Sequence, residues 1–360
     1  MKLGIVQRVL AGYRIPLFDT IAAAVDGQLS VYAGDPRPDE MIDSDKAPQI
    51  AQRWYAQNLH LGVGKGYFCI QRDIQKWIET WNPDVLIIEA NSRYLSTPSA
   101  IRTMHRQNKP VIGWGLGSGS SNFPFKRNFY RSFDAIITYS EAGRKSFQKF
   151  GIPAERIFVA YNAAARKPQD ELPPNRPLRD PFHPVILSVG RLQQRKRLDL
   201  LIRACAALKD EFQPKLWIVG DGPARPELNK LAAQIYPQTR FFGPLYDEHL
   251  LEKFLGADLF VLPGTGGLAL QEAMAAGLPV IAGEADGTQA DLVRSGNGRI
   301  IAAGDQDGLI QTMREMLSDP TQLRAMGAHS YKIIRDEINL ETMAQVFLNA
   351  IEFVSGQNST

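Results

Sequence analysis

The stretch Ser188–Ala204 reads SVGRLQQRKRLDLLIRA and predicts a buried strand, a polar loop and a helix in direct succession. The apolar strand ends at Gly190, and helical spacing of apolar residues begins near Leu198. The loop between them carries four cations, Arg191, Arg195, Lys196 and Arg197. Basic residues normally favour the C-terminal end of a helix. Four of them before a helix N-terminus therefore indicate a polyanion site rather than a solvated basic turn.

Two further stretches repeat this strand, turn and helix order. Residues 257–281 read ADLFVLPGTGGLALQEAMAAGLPVI, in which glycines before a helix can expose backbone N–H groups to an anion. Glu272 lies about one turn inside that helix, where a carboxylate can accept both hydroxyls of a ribose. Residues 216–223 read LWIVGDGP, a tight turn that indicates either a loop near a nucleotide or plain turn chemistry.

The whole chain repeats the alternation of strands and helices. Its 360 residues, 44% apolar and 22% charged, indicate a globular protein of about two domains and exclude a disordered or fibrous chain. Apolar runs alternate with helical stretches, such as one over residues 67–80, on both sides of a proline-rich segment at 162–184, which we interpret as an interdomain linker. The pattern predicts an α/β protein with two doubly wound parallel sheets, in domains 1–161 and 185–340, and a final amphipathic helix in 341–360.

Several function classes find no support in the sequence. The two cysteines, Cys69 and Cys205, are too few for a disulfide framework or a thiolate zinc cluster, and we expect buried thiols in a reducing compartment. Arg8 interrupts the first apolar run, so no secretory signal is expected, and no run approaches the roughly 18 apolar residues of a membrane span. Neither a metal-ligand cluster nor a nucleic-acid recognition motif is evident.

The order and spacing of these segments make residues 184–305 resemble the C-terminal donor domain of retaining glycosyltransferases of family 4, the glycosyl transferases group 1. The similarity covers Gly190-Arg191 with Lys196, the VGDGP turn at 219–223, Phe242-Gly243 and the run EAMAAGLPV at 272–280. It implies the GT-B architecture, in which two Rossmann-like doubly wound parallel-sheet domains face a central cleft. It also implies that the last helix packs back on the N-terminal domain.

The resemblance assigns roles to individual residues. Arg191 and Lys196 are expected to be catalytic, because the matching cations hold the diphosphate of a nucleotide-sugar. Glu272 is expected to bind the ribose. The other expected donor contacts are glycines and backbone amides, at Gly12, Gly190, Gly266, Gly267 and Leu268.

The first half resembles the family less specifically. Three residues at or just after the ends of predicted strands are candidate acceptor contacts, namely Asn91, Arg93 and Trp114. Two positions depart from the family pattern: Gly264 stands where a glutamate usually touches the donor sugar, and Leu116 stands where histidine is common. Residues 122–133 mix aromatic and basic side chains, which suits either a helix with its aromatic side in the core or a contact with anionic lipid headgroups.

The resemblance implies a retaining transfer of a sugar from a nucleoside-diphosphate sugar to an envelope glycan or glycolipid-type acceptor. It also implies that no metal or other cofactor is bound. The lack of a recognition motif argues against a nucleic-acid partner. We expect a cytoplasmic protein, for which a peripheral position at the inner face of the membrane is an open alternative. The two departures favour the alternative of a nucleotide-sugar-binding GT-B protein with weak or no transferase activity. A hydrolase or epimerase acting on nucleotide-sugars is a third hypothesis, for which the sequence offers no specific carboxylate base.

Overall fold

The computed structural model describes all residues except 38, 39, 41, 43, 45, 118–123, 175–179, 181, 286 and 358–360. The chain forms two compact units, unit 1 of Met1–Tyr161 with Leu340–Thr360, and unit 2 of Asn162–Asn339. The proline-rich segment at 162–184 falls within unit 2. In its described part, the Tyr331 hydroxyl donates to the carbonyl of Asp170 at 2.8 Å, which ties this segment to a helix of the same unit.

Unit 1 is built on a parallel sheet. Its strands are β1 (Leu3–Val9), β2 (Leu29–Gly34), β3 (Gln52–Ala56), β4 (Asn58–Leu61), β5 (Phe68–Gln71), β6 (Val85–Glu89), β7 (Val111–Gly115), β8 (Ala135–Thr138) and β9 (Ile157–Val159). Its helices are α1 (Ile15–Ala24), α2 (Ile74–Trp81), α3 (Thr97–Arg106), α4 (Pro124–Arg131), α5 (Glu141–Lys149) and α13 (Leu340–Gln357). Among the described residues, seven strands pair in the order β3-β2-β1-β6-β7-β8-β9, while β4 and β5 form a separate antiparallel hairpin.

The core of unit 1 follows from strands that are apolar on both faces. All six residues of β2 and the first four of β6 are buried, as expected for a parallel sheet covered by helices. The last helix, α13, packs on α1, β8 and β9. Phe129, Tyr130 and Phe133, in and after α4, are also buried, whereas Phe125 of the same helix is 67% exposed; residues 122 and 123 lie outside the described part.

The helix predicted over residues 67–80 is wrong in its first half. The structure forms β5 at Phe68–Gln71, paired with β4, and the helix covers only Ile74–Trp81. Asp73, directly before the helix, has a left-handed backbone with φ of 59°, so the extended strand is not continuous with the helix. A short strand whose partner is an adjacent hairpin arm leaves little periodicity in a sequence, which explains why a helix was expected instead.

Unit 2 repeats the architecture. Its strands are β10 (Val185–Val189), β11 (Lys215–Val219), β12 (Arg240–Phe241), β13 (Leu259–Leu262), β14 (Val280–Gly283) and β15 (Gly298–Ile301). Its helices are α6 (Leu198–Ala207), α7 (Arg225–Ile235), α8 (Asp247–Gly256), α9 (Leu268–Ala275), α10 (Gln289–Leu292), α11 (Gln306–Leu317) and α12 (Pro320–Asp336). In the described part of the chain the strands lie in the order β12-β11-β10-β13-β14-β15, all parallel. The order changes direction between β10 and β13, and such a switch point opens a crevice at the carboxyl ends of the strands.

Two properties predicted from composition can be compared with the fold. Cys69 and Cys205 are both buried free thiols, as predicted. In the part of the chain that the structure describes, we find no helix with the length and apolar character needed to cross a membrane.

Candidate functional site

The basic loop of unit 2 begins directly at the carboxyl end of β10, at the switch point of the sheet. Gly190 has φ of 142°, a conformation that L side chains rarely adopt. A short 3₁₀ helix, Gln194–Lys196, follows, and Arg197 takes a left-handed conformation before α6 begins. These backbone conformations turn the loop, together with Arg191 and Lys196, away from the direction of the strand.

The glycine-rich loop after β13 packs against this basic loop. Arg195 Nη1 donates to Thr265 Oγ1 at 2.9 Å, and the Thr265 backbone N–H donates to the carbonyl of Arg195 at 3.0 Å. A Cβ atom on Gly264 would overlap that carbonyl oxygen and would lie 2.6 Å from the carbonyl carbon of Lys196. The departure from the family pattern at Gly264 thus has a steric cause, because the two loops touch backbone to backbone.

The Lys196 side chain lies close to glycines of both loops. A Cβ on Gly266 would overlap the Lys196 ammonium, and a Cβ on Gly190 would lie 3.7 Å from it. Gly266 and Gly267 directly precede α9, which begins at Leu268. The Lys196 ammonium therefore lies next to Gly266, two residues before α9 begins, and both a cation and a helix N-terminus favour negative charge.

The turn at 219–223 supports the basic loop rather than extending the site. The Leu192 N–H donates to the carbonyl of Asp221 at 2.9 Å, and the Ala224 N–H donates to the carbonyl of Leu192 at 2.9 Å. Cβ atoms on Gly220 and Gly222 would overlap the carbonyl oxygens of Gly190 and Leu192. The glycines of this turn allow close packing that fixes the position of half-buried Arg191.

Glu272 is the fifth residue of α9. Its neighbour Gln271 points inward, where its side chain accepts the Ala164 N–H at 3.1 Å and donates to the carbonyl of Asn162. Glu272 is half-buried, and this burial raises the pKa of its carboxyl above the usual range. The carboxyl group is thus poorly solvated. Hydrogen bonds donated by the hydroxyl groups of a ligand would stabilise its ionised form.

The candidate acceptor residues of unit 1 separate into two groups. Asn91 and Arg93 line a cavity of about 280 Å³ at the carboxyl ends of the strands. Trp114, in contrast, is 1% exposed and packs in the core, with its ring 4.8 Å from that of Phe347 and 4.8 Å from the guanidinium of Arg14. The expectation that Trp114 contacts an acceptor is therefore wrong, since its ring is enclosed by the protein. Gly12 opens a short 3₁₀ helix, Gly12–Arg14, after β1.

Sequence reasoning missed three charged residues at this edge of unit 1. Arg8 lies in β1 and lines the same cavity, and Glu89, the last residue of β6, accepts the Arg8 backbone N–H. Burial raises the pKa of Glu89 to about 7, against the opposing effect of Arg8 and Arg14. Arg14 is itself only 5% exposed. Two residues could have been identified from the sequence, because each is a single charge within or at the end of an apolar strand. These are Arg8 in LGIVQRV and Glu89 in VLIIE.

Comparisons with known proteins identify relatives of both units. The family described as Glycosyl transferases group 1 matches residues 174–333, and the family described as Glycosyltransferase Family 4 matches residues 28–165. A GDP-mannose-dependent monoacylated alpha-(1-6)-phosphatidylinositol monomannoside mannosyltransferase of Corynebacterium glutamicum is 32% identical over 47% of this chain, and the match spans only 47% of that relative's own length. The lipopolysaccharide core biosynthesis glycosyltransferase LpsE of Rhizobium meliloti is 23% identical over 84% of this chain and 92% of its own.

Solved structures share the fold over nearly the whole chain. HepE of Anabaena, crystallised with UDP, has a TM-score of 0.71 and 17% identity, with 98% of this chain and 100% of that one covered. The apo form of the lipopolysaccharide outer core galactosyltransferase WaaB has a TM-score of 0.71 and 17% identity over 98% of this chain and 99% of its own. Since one family description covers most of unit 1 and the other most of unit 2, the chain belongs to glycosyltransferase family 4, the glycosyl transferases group 1, with the GT-B fold.

Proposed function

We propose that this protein is a retaining glycosyltransferase that moves a sugar from a nucleoside-diphosphate sugar to an envelope glycan or glycolipid-type acceptor. The observation that carries the proposal is the position of Lys196, whose ammonium lies beside Gly190 and Gly266 just before the N-terminus of α9. A cation next to a glycine-rich helix entrance suits a diphosphate. Arg191 lies on the same loop and adds a group that can bind phosphate oxygens in a bidentate manner.

The chemistry proposed for this site is leaving-group stabilisation. The acceptor hydroxyl attacks the anomeric carbon on the face that the diphosphate leaves, so that the configuration is retained. The bond from that carbon to the diphosphate oxygen breaks, and the departing oxygen takes the hydroxyl proton. Negative charge develops on the diphosphate. Lys196, Arg191 and the backbone amides before α9 can stabilise that charge. Fixed donors of this kind are worth about 2.7–4 kcal/mol each.

Names of relatives support a nucleotide-sugar donor and a glycan or glycolipid acceptor. They describe a GDP-mannose-dependent mannosyltransferase acting on a phosphatidylinositol mannoside, a lipopolysaccharide core enzyme, and a protein bound to UDP. We propose unit 2 as the donor side and unit 1 as the acceptor side, with no bound metal or other cofactor and with action in the cytoplasm or at the inner face of the membrane. Gly264 and Leu116 remain the two reasons for the alternative, a nucleotide-sugar-binding protein with weak or no transferase activity.

Nucleotide binding tests the proposal directly. We expect UDP, GDP, ADP or dTDP at about 1 mM to raise the melting temperature by a few degrees, since a ligand at about 100 times its Kd stabilises by roughly 2.7 kcal/mol. One of the four should act more strongly than the others and identify the base of the donor. The same nucleotide linked to different sugars, incubated with acceptors, then measures transfer. No shift with any of the four would contradict the donor site, and a shift without transfer to any acceptor would favour the binding-protein alternative.

Glu272 makes the donor site sensitive to pH. Ribose hydroxyls bind the ionised carboxylate, whereas burial in the free protein raises its pKa and favours the neutral form. Nucleotide affinity should therefore increase as the pH rises through that raised pKa and decrease as the pH falls. Glu272→Gln should weaken binding by about 10- to 100-fold at neutral pH, the worth of a hydrogen bond to a charged group. It should also flatten the pH profile relative to wild type, as titration calorimetry would show.

The stability of the free protein separates this role from a structural one. The folded state holds the Glu272 proton more tightly than the unfolded state, so its contribution to stability is present at low pH and is lost as the pH rises through the raised pKa. Glu272→Gln should accordingly leave the melting temperature at neutral pH unchanged or higher. A lower melting temperature together with an unchanged affinity would mean that the ribose is bound elsewhere.

A further inference from the structure

The β4–β5 hairpin of unit 1 presents apolar side chains on its outer face. In the antiparallel register Leu61 lies opposite Phe68, and Leu59 lies opposite Ile70, so these four side chains share one face. Leu61 is 47% and Phe68 39% exposed, while Leu59 and Ile70 are half-buried. The exposed face of an antiparallel pair normally carries polar side chains. The apolar face of this hairpin therefore needs a cause outside the fold of unit 1.

The opposite face of the hairpin is polar, and it packs against the sheet. The buried Gln71 donates through Nε2 to the carbonyl of Gln7 at 3.0 Å. Asn58, which lies opposite Gln71, donates through Nδ2 to the carbonyl of Arg8 at 2.7 Å. Polar side chains thus attach the hairpin to β1. The usual alternation, with apolar side chains inside and polar ones outside, is reversed here.

A glycine turn at the end of the hairpin extends the apolar face. Residues 62–66 read GVGKG, and Val63 in this turn is 80% exposed. A Cβ on Gly62, whose φ is 69°, would overlap the carbonyl oxygen of Gly66, so a larger residue would prevent the turn from closing. Leu95, 48% exposed, lies beside the hairpin, because its N–H donates to a carbonyl of β5 at 2.9 Å. We use the name apolar tip for Leu61, Val63, Phe68 and Leu95.

The segments that form this region are basic. Residues 46–72 and 90–109 together contain eight lysines and arginines and no aspartate or glutamate. Arg72 is exposed and directly follows β5. Arg93 lies beside β5, because its carbonyl accepts the Cys69 N–H at 3.0 Å, and it is exposed as well. Basic residues of this kind attract an anionic surface.

Acidic residues adjoin the two segments along the chain, and two of them are bound on the side of Arg8, to which the polar face of the hairpin is attached. Glu40 accepts two hydrogen bonds from the Arg8 guanidinium, at 2.8 and 2.9 Å, and Glu89 accepts the Arg8 backbone N–H. Asp35 accepts a tyrosine hydroxyl, and Asp73 is exposed just before α2. These acids therefore do not form part of the apolar tip.

The same two segments also form the cavity of unit 1. Gly64 and Tyr67 of the hairpin line this cavity together with Arg93 and Tyr94, and Leu95 of the apolar tip directly follows Tyr94. The apolar tip and the candidate acceptor cavity are therefore neighbours. A surface that binds the apolar tip is placed beside the entrance of an acceptor.

We propose that the apolar tip docks on a membrane surface that contains anionic lipids, with Leu61, Val63 and Phe68 at the boundary between headgroups and acyl chains. Exposed apolar patches of this kind mark interaction sites, and aromatic side chains favour the membrane interface. Each lysine or arginine close to an anionic membrane adds about fivefold to the affinity. The proposal rests on the proposed transferase function and deepens it, because it favours an acceptor attached to a lipid over a free glycan.

A dye at the apolar tip tests the docking. Val63→Cys supplies an accessible thiol for the environment-sensitive dye NBD, since both native cysteines are buried. With phosphatidylcholine vesicles that contain phosphatidylglycerol, the NBD emission should increase and move to shorter wavelength, and it should change less with phosphatidylcholine alone. Leu172→Cys is the matched control, because Leu172 is 76% exposed in unit 2, and its dye should not respond. Equal responses at the two sites, or none at residue 63, would overturn the proposal.

Flotation with the same vesicles measures the affinity. The double variant Leu61→Asp with Val63→Asp should bind anionic vesicles at least about tenfold more weakly, because it removes apolar surface and adds repelled charge. Leu172→Asp should bind like the wild type. The double variant should keep the wild-type melting temperature, since both side chains are exposed. An NBD response that appears without vesicles as the protein concentration rises would assign the apolar tip to a second copy of the chain and refute membrane docking.

The donor site is tested separately from the docking. Neither vesicle assay uses a nucleotide or an acceptor, and the double variant should keep the nucleotide-induced melting shift. Absence of that shift in the wild type would refute the donor site, whereas loss of vesicle binding alone would refute the docking surface.

Discussion

Replacement of Lys196 by alanine is expected to reduce kcat by about 10²- to 10³-fold, the loss seen when one fixed donor to a developing charge is removed. The ammonium lies beside Gly190 and Gly266, the latter just before α9, where a diphosphate would accept its charge. The charge on the leaving group increases toward the transition state, so the loss should affect kcat as well as the KM for the donor. The nucleotide-induced melting shift should decrease in the same variant.

A matched control separates this loss from a general effect of charge. Lys209 is exposed in the turn after α6 of the same unit, and Lys209→Ala removes the same charge away from the loops. It should keep wild-type kcat and the full melting shift. The melting temperature of Lys196→Ala without ligand should stay close to that of the wild type. Wild-type kcat in Lys196→Ala would refute its role in leaving-group departure.

The strands and helices around the proposed donor site could be predicted well, because each is encoded by the residues of its own segment. The strand at Val185–Val189 and the helix from Leu198 both stand where the apolar pattern places them, since the strand is buried and the helix covers it. The contact between the loops at residues 190–197 and 263–267 follows from topology, because β10 and β13 are neighbours in the sheet. Once the strand order is known, the loops that follow neighbouring strands are therefore expected to contact each other.

The cavity of unit 1, on the proposed acceptor side, could not be predicted to the same extent, because its residues come together only through tertiary packing. Arg37 and Tyr67 reach one cavity from a strand end and from a hairpin, and neither segment carries a recognisable motif. Trp114 lies near the carboxyl end of β7, much as Asn91 lies just after β6, and yet its ring is in the core, because Phe347 of α13 packs against it at 4.8 Å. No local pattern distinguishes these two outcomes, since the covering helix begins more than 200 residues later.

Gly264 shows where a family pattern can mislead. The family usually places a glutamate at this position to touch the donor sugar, which suggests that Gly264→Glu would restore sugar recognition. The structure indicates the opposite. Any Cβ at residue 264 would overlap the carbonyl oxygen of Arg195 and lie 2.8 Å from the Cα of Lys196. These are backbone atoms of the 3₁₀ helix that carries the Lys196 ammonium, and they cannot move without moving it.

Gly264→Ala is therefore expected to destabilise unit 2 by about 1–3 kcal/mol, the usual cost of overpacking, and Gly264→Glu by at least as much. Both variants should also lose most of the nucleotide-induced melting shift, because relief of the overlap displaces Lys196. Gly267→Ala is the matched control, since its φ is −146° and the nearest atom to a new Cβ is Thr288 Oγ1 at 3.9 Å. Urea unfolding should show near wild-type stability for Gly267→Ala. A gain of activity with unchanged stability in Gly264→Glu would mean that these loops separate when the protein binds its donor.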